Sequence, residues 1–259
     1  MKLAGQIAIV TGGGRGIGRA IALRFAAEGA AVALAATGRE ALEATAAEIR
    51  AAGGRALVCV TDVADEAAVE RMVAATLAEW SRLDILVNNS GIAGPTAAAI
   101  ELSRADWDRT LAINVTGAYL CAKHALPHMM KGRSGRIINI TSVAGRIGYA
   151  FRSPYAVSKW GMIGLTRSLA LEAGSHGITV NAIAPGAVKG ERIDEVLRSR
   201  AEALGVTPEQ VERDFFIEPT ALKRMIDPEE IAAAALYFAS DEARGVTGET
   251  LAVSGGFRL

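Results

Sequence analysis

Aromatic side chains make up only 5% of this 259-residue chain. The core must therefore be built from Ala, Val, Leu and Ile, and a hydrophobic content of 51% is ample for one. Cysteine is scarce too. Cys59 and Cys121 lie in apolar surroundings and show no metal-ligand spacing. They read as buried, reduced thiols, which points to a reducing compartment and no metal site. Net charge is missing, since 28 Lys and Arg offset 28 Asp and Glu. That excludes the strongly basic face expected of a nucleic-acid or anionic-membrane partner. Long apolar runs are missing as well, with nothing near the roughly 18 uncharged residues of a membrane span. The apolar run at 7–10 breaks at Gly12-Gly13-Gly14, which is too short for a signal segment. These absences lead to the expectation of a cytoplasmic protein with no membrane or nucleic-acid partner.

What is present is an alternation of strand and helix patterns. Residues 6–10 form a short β-branched apolar run that ends at glycines. Helical periodicity follows to Gly29. Further buried strands read at 31–35, 55–60, 83–87, 135–140 and 178–183, with helices at 40–52, 66–80 and 153–173 between them. Residues 103–131 read as one long helix with Asn114 inside it. Strands separated by helices predict an α/β fold with a doubly wound, parallel sheet and right-handed crossovers. The alternation breaks over 187–220, a long charged stretch with helices predicted at 191–204 and 208–216, which is read as a lid over a substrate. A helix at 227–239 starts with Asp227-Pro228-Glu229-Glu230, and a seventh strand at 250–253 closes the chain. No repeat or linker divides 1–259, so one domain is expected.

Thr11-Gly12-Gly13-Gly14-Arg15-Gly16-Ile17-Gly18 lies between the first strand and helix. In that context glycines permit a tight turn, let backbone approach a pyrophosphate and let the helix pack on the strand. The helix N-terminus offers amide donors and positive dipole to the anion. The plain alternative is a tight turn with no ligand. After the second strand an NAD site carries an acid about 20 residues past the glycines. Here the chain reads Ala36-Thr37-Gly38-Arg39. No carboxylate would repel a 2′-phosphate, Arg15 and Arg39 can bind one in bidentate fashion, and Thr37 can add a hydroxyl. NADP is preferred on these grounds, with NAD possible; the alternative is that both arginines are solvated surface charges. Asp62 is either an acceptor for the adenine amine or a cap for the helix that starts near Asp65.

Asn88-Asn89-Ser90-Gly91 ends the fourth strand, at the edge where open α/β sheets bind ligands. Asn114 is a poor residue for the middle of a helix and marks either a functional site or a satisfied core amide or kink. Ser142 follows the fifth strand. Ser153 as N-cap and Pro154 as first helical residue start the next helix. That places Tyr155 in the first turn and Lys159 one turn on, stacked on one face. The helix dipole and the ammonium both favour a phenolate. By itself this spacing also fits an ordinary interfacial Tyr and a solvated Lys.

Together these motifs resemble the single-domain short-chain dehydrogenase/reductases over essentially the whole chain. The resemblance rests on Thr11-Gly12-x-x-x-Gly16-x-Gly18, Asp62-Val63, Asn88-Asn89-Ser90-Gly91, Asn114, Ser142, Tyr155-x-x-x-Lys159 and Pro185-Gly186. It implies a seven-stranded Rossmann-type sheet and a nicotinamide dinucleotide contacted by Gly12, Gly14, Arg15, Gly16, Ile17, Gly18, Thr37, Arg39, Asp62, Val63, Asn89, Gly91, Tyr155, Lys159, Pro185, Gly186 and Val188. It also implies an Asn114–Ser142–Tyr155–Lys159 tetrad and a homotetramer or homodimer. Ser90 stands where the family has Ala, and Gly190 where it often has a Thr that touches the nicotinamide end.

In the implied chemistry Tyr155 protonates the forming alkoxide or deprotonates an alcohol. Ser142 binds the carbonyl oxygen. Lys159 favours the phenolate and holds the ribose, and Asn114 positions Lys159. The small-molecule partner is a secondary alcohol or ketone. Within the family a 3-oxoacyl-carrier-protein reductase is one reading, because Arg133 fits one carrier-docking position although His176 stands at the other. A sugar, polyol or cyclic alcohol is another. A dinucleotide-sensing, non-catalytic protein is the alternative outside enzymes, and the intact tetrad argues against it. The lid cations Lys189, Arg192, Arg198 and Arg200 suit either an anionic substrate or a solvated helix face.

Overall fold

Short runs of Val, Ile, Leu and Ala assemble into a seven-stranded parallel sheet in the computed structural model, which describes residues 1–258. The strands are β1 (Ile7–Thr11), β2 (Ala31–Ala36), β3 (Arg55–Val60), β4 (Ile85–Asn88), β5 (Gly135–Ile140), β6 (Ile178–Pro185) and β7 (Thr250–Val253). Their spatial order is β3-β2-β1-β4-β5-β6-β7. Each ladder is parallel, with Ala8 opposite Ile85 and Val32 on β1–β4 and β1–β2.

Because side chains alternate across a strand, each strand feeds two cores. Val10, Leu34 and Val87 join α1 (Gly16–Ala27), α2 (Arg39–Ala51) and α9 (Pro228–Ala239) on one face. Ile9, Ala33 and Leu86 join α3 (Glu66–Trp80), α5 (Gly117–Gly132) and α6 (Ser153–Ala173) on the other. The fold class expected from the alternation of patterns is the one found. Cys59 and Cys121 are unpaired and buried in the second core. Burial pushes their thiols up, to about 11 and about 12.

Three local expectations need correction. The segment predicted as one helix over 103–131 is α4 (Arg104–Leu111) and α5 joined by a π-helical turn, Ala112–Thr116, with Asn114 inside it. An amide bonded sideways into neighbouring backbone widens the turn there. The predicted helix over 208–216 is a four-residue α8 (Pro208–Val211) that runs into a π turn, Glu212–Ile217. The N-cap of α6 is Arg152, not Ser153. Ser153 is the first helical residue and makes no cap bond, which leaves Tyr155 in the first turn as expected.

α7 (Glu191–Leu204) carries a small third core of its own, where Val196, Leu197 and Ala201 meet Val211, Phe216 and Met225. No helix among the described residues is long and apolar enough to cross a membrane.

Candidate active site

The strand order reverses between β1 and β4, which opens a crevice at their carboxyl ends. Thr11 and Asn89 fasten its floor. Thr11 Oγ1 accepts from Asn89 N (2.9 Å) and Ser90 N (3.0 Å), and Asn89 Nδ2 donates to Thr11 O (2.8 Å). The Asn89 Nδ2 and N–H are thus spent on the fold, which leaves its Oδ1 and its carbonyl for a ligand. The glycine loop lies on this clasp. A Cβ on Gly18 would run into Gly12 O and Asn89 Nδ2, so only glycine seats α1 this low. Gly14 closes against α2, where a Cβ would stand 3.0 Å from Ala41 Cβ. α1 begins at Gly16 and Ile17 with no side-chain cap from Arg15 and no acid in its first turn. Its leading amides are therefore left for an anion, and the cradle fits a dinucleotide's phosphates.

Thr37 and Arg39 are exposed just past β2, where no carboxylate precedes Glu40. Arg15 and Arg39 are 78% and 70% exposed and held only by loose pairs, to Glu191 at 3.6 Å and Glu43 at 3.7 Å. Both are free to swing toward a ligand phosphate. Asp62 is not the cap of α3; Asp65 is, accepting from Ala67 N. Asp62 Oδ1 accepts from Ala64 N (2.9 Å), which leaves its second oxygen available. Val63 is buried against Gly117, so its side chain belongs to the core and only its backbone can meet a ligand.

Lys159 is nearly buried, at 5% exposure. Its Nζ donates to Ile140 O (2.8 Å) and stands 5.7 Å from the Tyr155 ring centroid. Burial, seconded by the charge of Arg192, pulls its pKa down to about 7. A Cβ on Gly91 would lie 3.1 Å from Asn114 Oδ1 and 3.7 Å from Lys159 Nζ, so a glycine keeps this wall open. Helix α6 is pinned close to the loop after β5: Thr141 Oγ1 donates to Lys159 O (2.8 Å), and a Cβ on Gly145 would clash with that carbonyl. Ser142 caps the turn Val143–Gly145, its Oγ accepting from Ala144 N (3.1 Å), which leaves its own proton to donate.

Asn114 does not bond Lys159 directly. Its Oδ1 accepts from Ile92 N (2.7 Å), and its Nδ2 donates to Ile92 O (3.0 Å) and Ser158 Oγ (3.0 Å). Ser158 in turn donates to Tyr155 O (2.7 Å). The geometry is that of the satisfied core amide at a local widening of the helix: Asn114 lies in a π turn, its amide fully bonded, and braces the tyrosine's helix.

Pro185 ends β6. Gly186 sits so close to Ser254 that a Cβ would lie 2.9 Å from its Cα, and Val188 bridges to Ile226. Gly190 has φ +130°, a conformation strained for any L residue, so the Thr expected here from the family resemblance would not take this path. The segment 187–220 is fastened across the crevice. Arg192 donates to Gly91 O (2.7 Å), Lys189 pairs with Asp227 (2.9 Å), and Ala93 packs on the small core of α7. Of the cations of segment 187–220, Arg198 is exposed as on a solvated face, whereas Arg200 is buried and does not fit that alternative. Sequence reasoning also missed Ser158 and Arg152. Ser158 sits three residues after Tyr155, the spacing that returns a hydroxyl to the preceding turn; Arg152, in a loop, carried no signal of burial.

Residues 12–258 match the family profile described as Enoyl-(Acyl carrier protein) reductase. The chain is 39% identical to the hydroxy(phenyl)methylsuccinyl-CoA dehydrogenase subunit BbsD of Thauera aromatica, covering 100% of this chain and 99% of that one. It is also 39% identical to a 3-oxoacyl-(acyl-carrier-protein) reductase of Synechocystis sp., covering 98% and 97%. Among solved structures, NAD+-bound xylitol dehydrogenase superposes with a TM-score of 0.95 at 34% identity, covering 99% and 100%.

Proposed function

The chain belongs to the short-chain dehydrogenase/reductase family and is an oxidoreductase that uses a nicotinamide dinucleotide; on that premise we propose that it moves a hydride between NADP(H) and a secondary alcohol or ketone, with Tyr155 as the proton carrier. The observation that carries this reading is Lys159: a buried amine with a pKa near 7, fixed on Ile140 O beside the Tyr155 ring. A group poised near neutrality next to a phenol suits proton exchange at working pH.

The bound dinucleotide supplies the hydride in reduction and accepts it in oxidation. The chain's residues do the rest. Tyr155 gives its phenolic proton to the carbonyl oxygen, or takes the alcohol's proton in the reverse direction. Ser142 donates to the same oxygen and stabilises its developing charge. Lys159 holds the ribose end, favours the phenolate and can pass the proton on. Asn114 and Ser158 hold the first turns of α6 in register. The uncapped head of α1 receives the phosphates, and Asp62 accepts from the adenine amine. Preference for NADP(H) is supported by Arg15 and Arg39, exposed beside a β2 end without a carboxylate.

A carrier-linked 3-oxoacyl substrate, as named for the Synechocystis relative, has less support. Arg133 is folded into the end of α5 with φ +50° and donates to Ser175 O (3.1 Å), which ties it into a turn. Exposed Trp160 on α6 and Leu251 on β7 support assembly into a homodimer or homotetramer, and the buried free thiols support a cytoplasmic setting. The test is a kinetic panel of ketones and secondary alcohols run side by side with NADPH/NADP+ and NADH/NAD+. Turnover with an NADP(H) preference is expected. Inertness across the panel would favour a dinucleotide sensor.

A further inference from the structure

Two buried guanidiniums about the Tyr149 ring, one of them beside Tyr155, lack a counter-ion among the described residues. Arg152, 3% exposed, spends Nη1 on Thr96 Oγ1 (3.1 Å) and Nη2 on Ala93 O (2.8 Å), while its Nε has no partner. Arg200, 8% exposed on the inner face of α7, also has an unpartnered Nε. The two flank one ring: Arg152 Cζ lies 5.8 Å and Arg200 Cζ 5.5 Å from the Tyr149 centroid. Arg152 also stands 5.6 Å from the Tyr155 ring and Arg200 4.2 Å from that of Phe215. Among the described residues no carboxylate faces the Arg152 guanidinium: the charged and titratable groups around it are Tyr149, Tyr155 and Arg200. Burial holds it below the usual arginine range, and burial pushes the Tyr149 phenol up, so the Tyr149 ring supplies no negative charge at neutral pH.

Stacking on ring faces returns only part of the hydration a buried guanidinium gives up, and two like charges about one ring repel. A fold keeps such an arrangement where a ligand completes it. The groups involved come from the loop after β4, the loop after β5, the head of α6 and helix α7, which meet around the Tyr149 ring with Tyr155 next to Arg152. Arginine forks match flat oxyanions through paired N–H groups.

We propose that Arg152 and Arg200 form an oxyanion-binding subsite, and that the substrate is a hydroxy or oxo compound whose carboxylate or phosphate lies a few bonds from the carbon that exchanges hydride. This rests on the hydride-transfer reading for the reacting end and adds the group that fixes the other end.

The test uses the full chain with NADPH and with NADH on pairs that differ in charge. These are 3-oxobutanoate and its methyl ester, 4-oxocyclohexanecarboxylate and its methyl ester, and dihydroxyacetone phosphate and dihydroxyacetone. In at least one pair kcat/KM is expected to favour the anion by roughly tenfold or more. A preference confined to the carboxylates or to the phosphate names the oxyanion. In Arg200→Met the preference should fall by about tenfold, through KM, while Arg200→Lys keeps part of it because the charge survives without the fork. Circular dichroism checks both variants, and if the methionine variant does not fold, a severalfold loss of preference in the lysine variant carries the test. In parallel, the melting temperature of the NADPH complex is followed with added malonate or inorganic phosphate against chloride.

Equal use of charged and neutral partners by the wild type, or an undiminished preference in the folded Arg200 variants, overturns the subsite and leaves hydride transfer standing. Anion stabilisation that depends on Arg200, with no turnover in any pair, keeps the subsite and removes the hydride-transfer reading. Neither stabilisation nor preference overturns the subsite outright.

Discussion

Asn114 reaches Ser158, not Lys159: its Nδ2 lies 3.0 Å from Ser158 Oγ, and Ser158 closes on Tyr155 O at 2.7 Å. The amide from the π turn therefore acts on Tyr155, the proposed proton carrier, through the backbone of α6. Asn114→Ala would leave Ile92 N without its acceptor inside the protein, a loss of about 1–3 kcal/mol for a buried polar group. A lower melting temperature together with a kcat loss that exceeds that of Ser158→Ala is the expected result. Equal melting temperatures for the Asn114→Ala variant and the wild type would contradict it.

Tyr155→Phe removes only the phenolic oxygen. The general-acid contribution is worth about 10²–10⁴-fold, so kcat should drop by that range while cofactor affinity, read by fluorescence titration, changes little. Near-normal turnover would sink the assignment.

Lys159 makes stability depend on pH. Its folded pKa is about 7 and its ordinary value 10.5. Between those values the unfolded chain holds a proton that the native one has shed, so raising the pH favours the native state. Below about pH 7 both states are charged and the full penalty applies; above the ordinary value both are neutral and it vanishes. Without cofactor, stability should climb from pH 7 toward pH 10 by up to about 1.4 kcal/mol per unit, and Lys159→Met should flatten that climb. Chemical denaturation across this range measures it, and parallel curves for the two proteins would refute it.

Ala36→Asp places a carboxylate at the end of β2, where a 2′-phosphate would approach Arg15 and Arg39. Discrimination against NADPH of at least about tenfold, with NADH little affected, is expected from the added repulsion. Steady-state kinetics with each cofactor reads the ratio. An unchanged ratio would remove the basis for preferring NADP(H).

Gly18→Ala forces its Cβ into Gly12 O and the Asn89 amide. Overpacking of this kind costs about 1–3 kcal/mol, and here it also lifts α1 off the clasp. A lower unfolding midpoint joined to weakened cofactor binding is expected; weakened binding at unchanged stability would mean that α1 tolerates the side chain.

Much of the fold was legible because its signals are local. Ile9, Ala33 and Leu86 sit in uninterrupted apolar runs, and the glycines of the first loop stand between a strand and a helix. The same holds for Tyr155 and Lys159, whose spacing puts them on one face. What escaped was non-local. Nothing near Arg152 or Arg200 in sequence announces burial, since each is covered by segments far along the chain. The bracing role of Ser158 depends on a π turn some forty residues earlier, and that turn depends on Ile92 in a third segment. The N-cap was misplaced by one residue because Ser153 has the right chemistry for a cap, yet makes no cap bond in the first turn.

The pairing of Ala8 with Ile85 has a consequence for how the enzyme comes into being. The phosphate cradle belongs to the first strand and helix, but the residue that supports it, Asn89, is the far end of a long excursion through β2 and β3. A growing chain that has made only the first three strands owns a glycine loop with nothing beneath it. Affinity for the dinucleotide must then arise late and all at once, when β4 docks beside β1. Ligand binding is thereby tied to closure of the central seam, so the dinucleotide should protect the whole sheet against opening and not the loop alone.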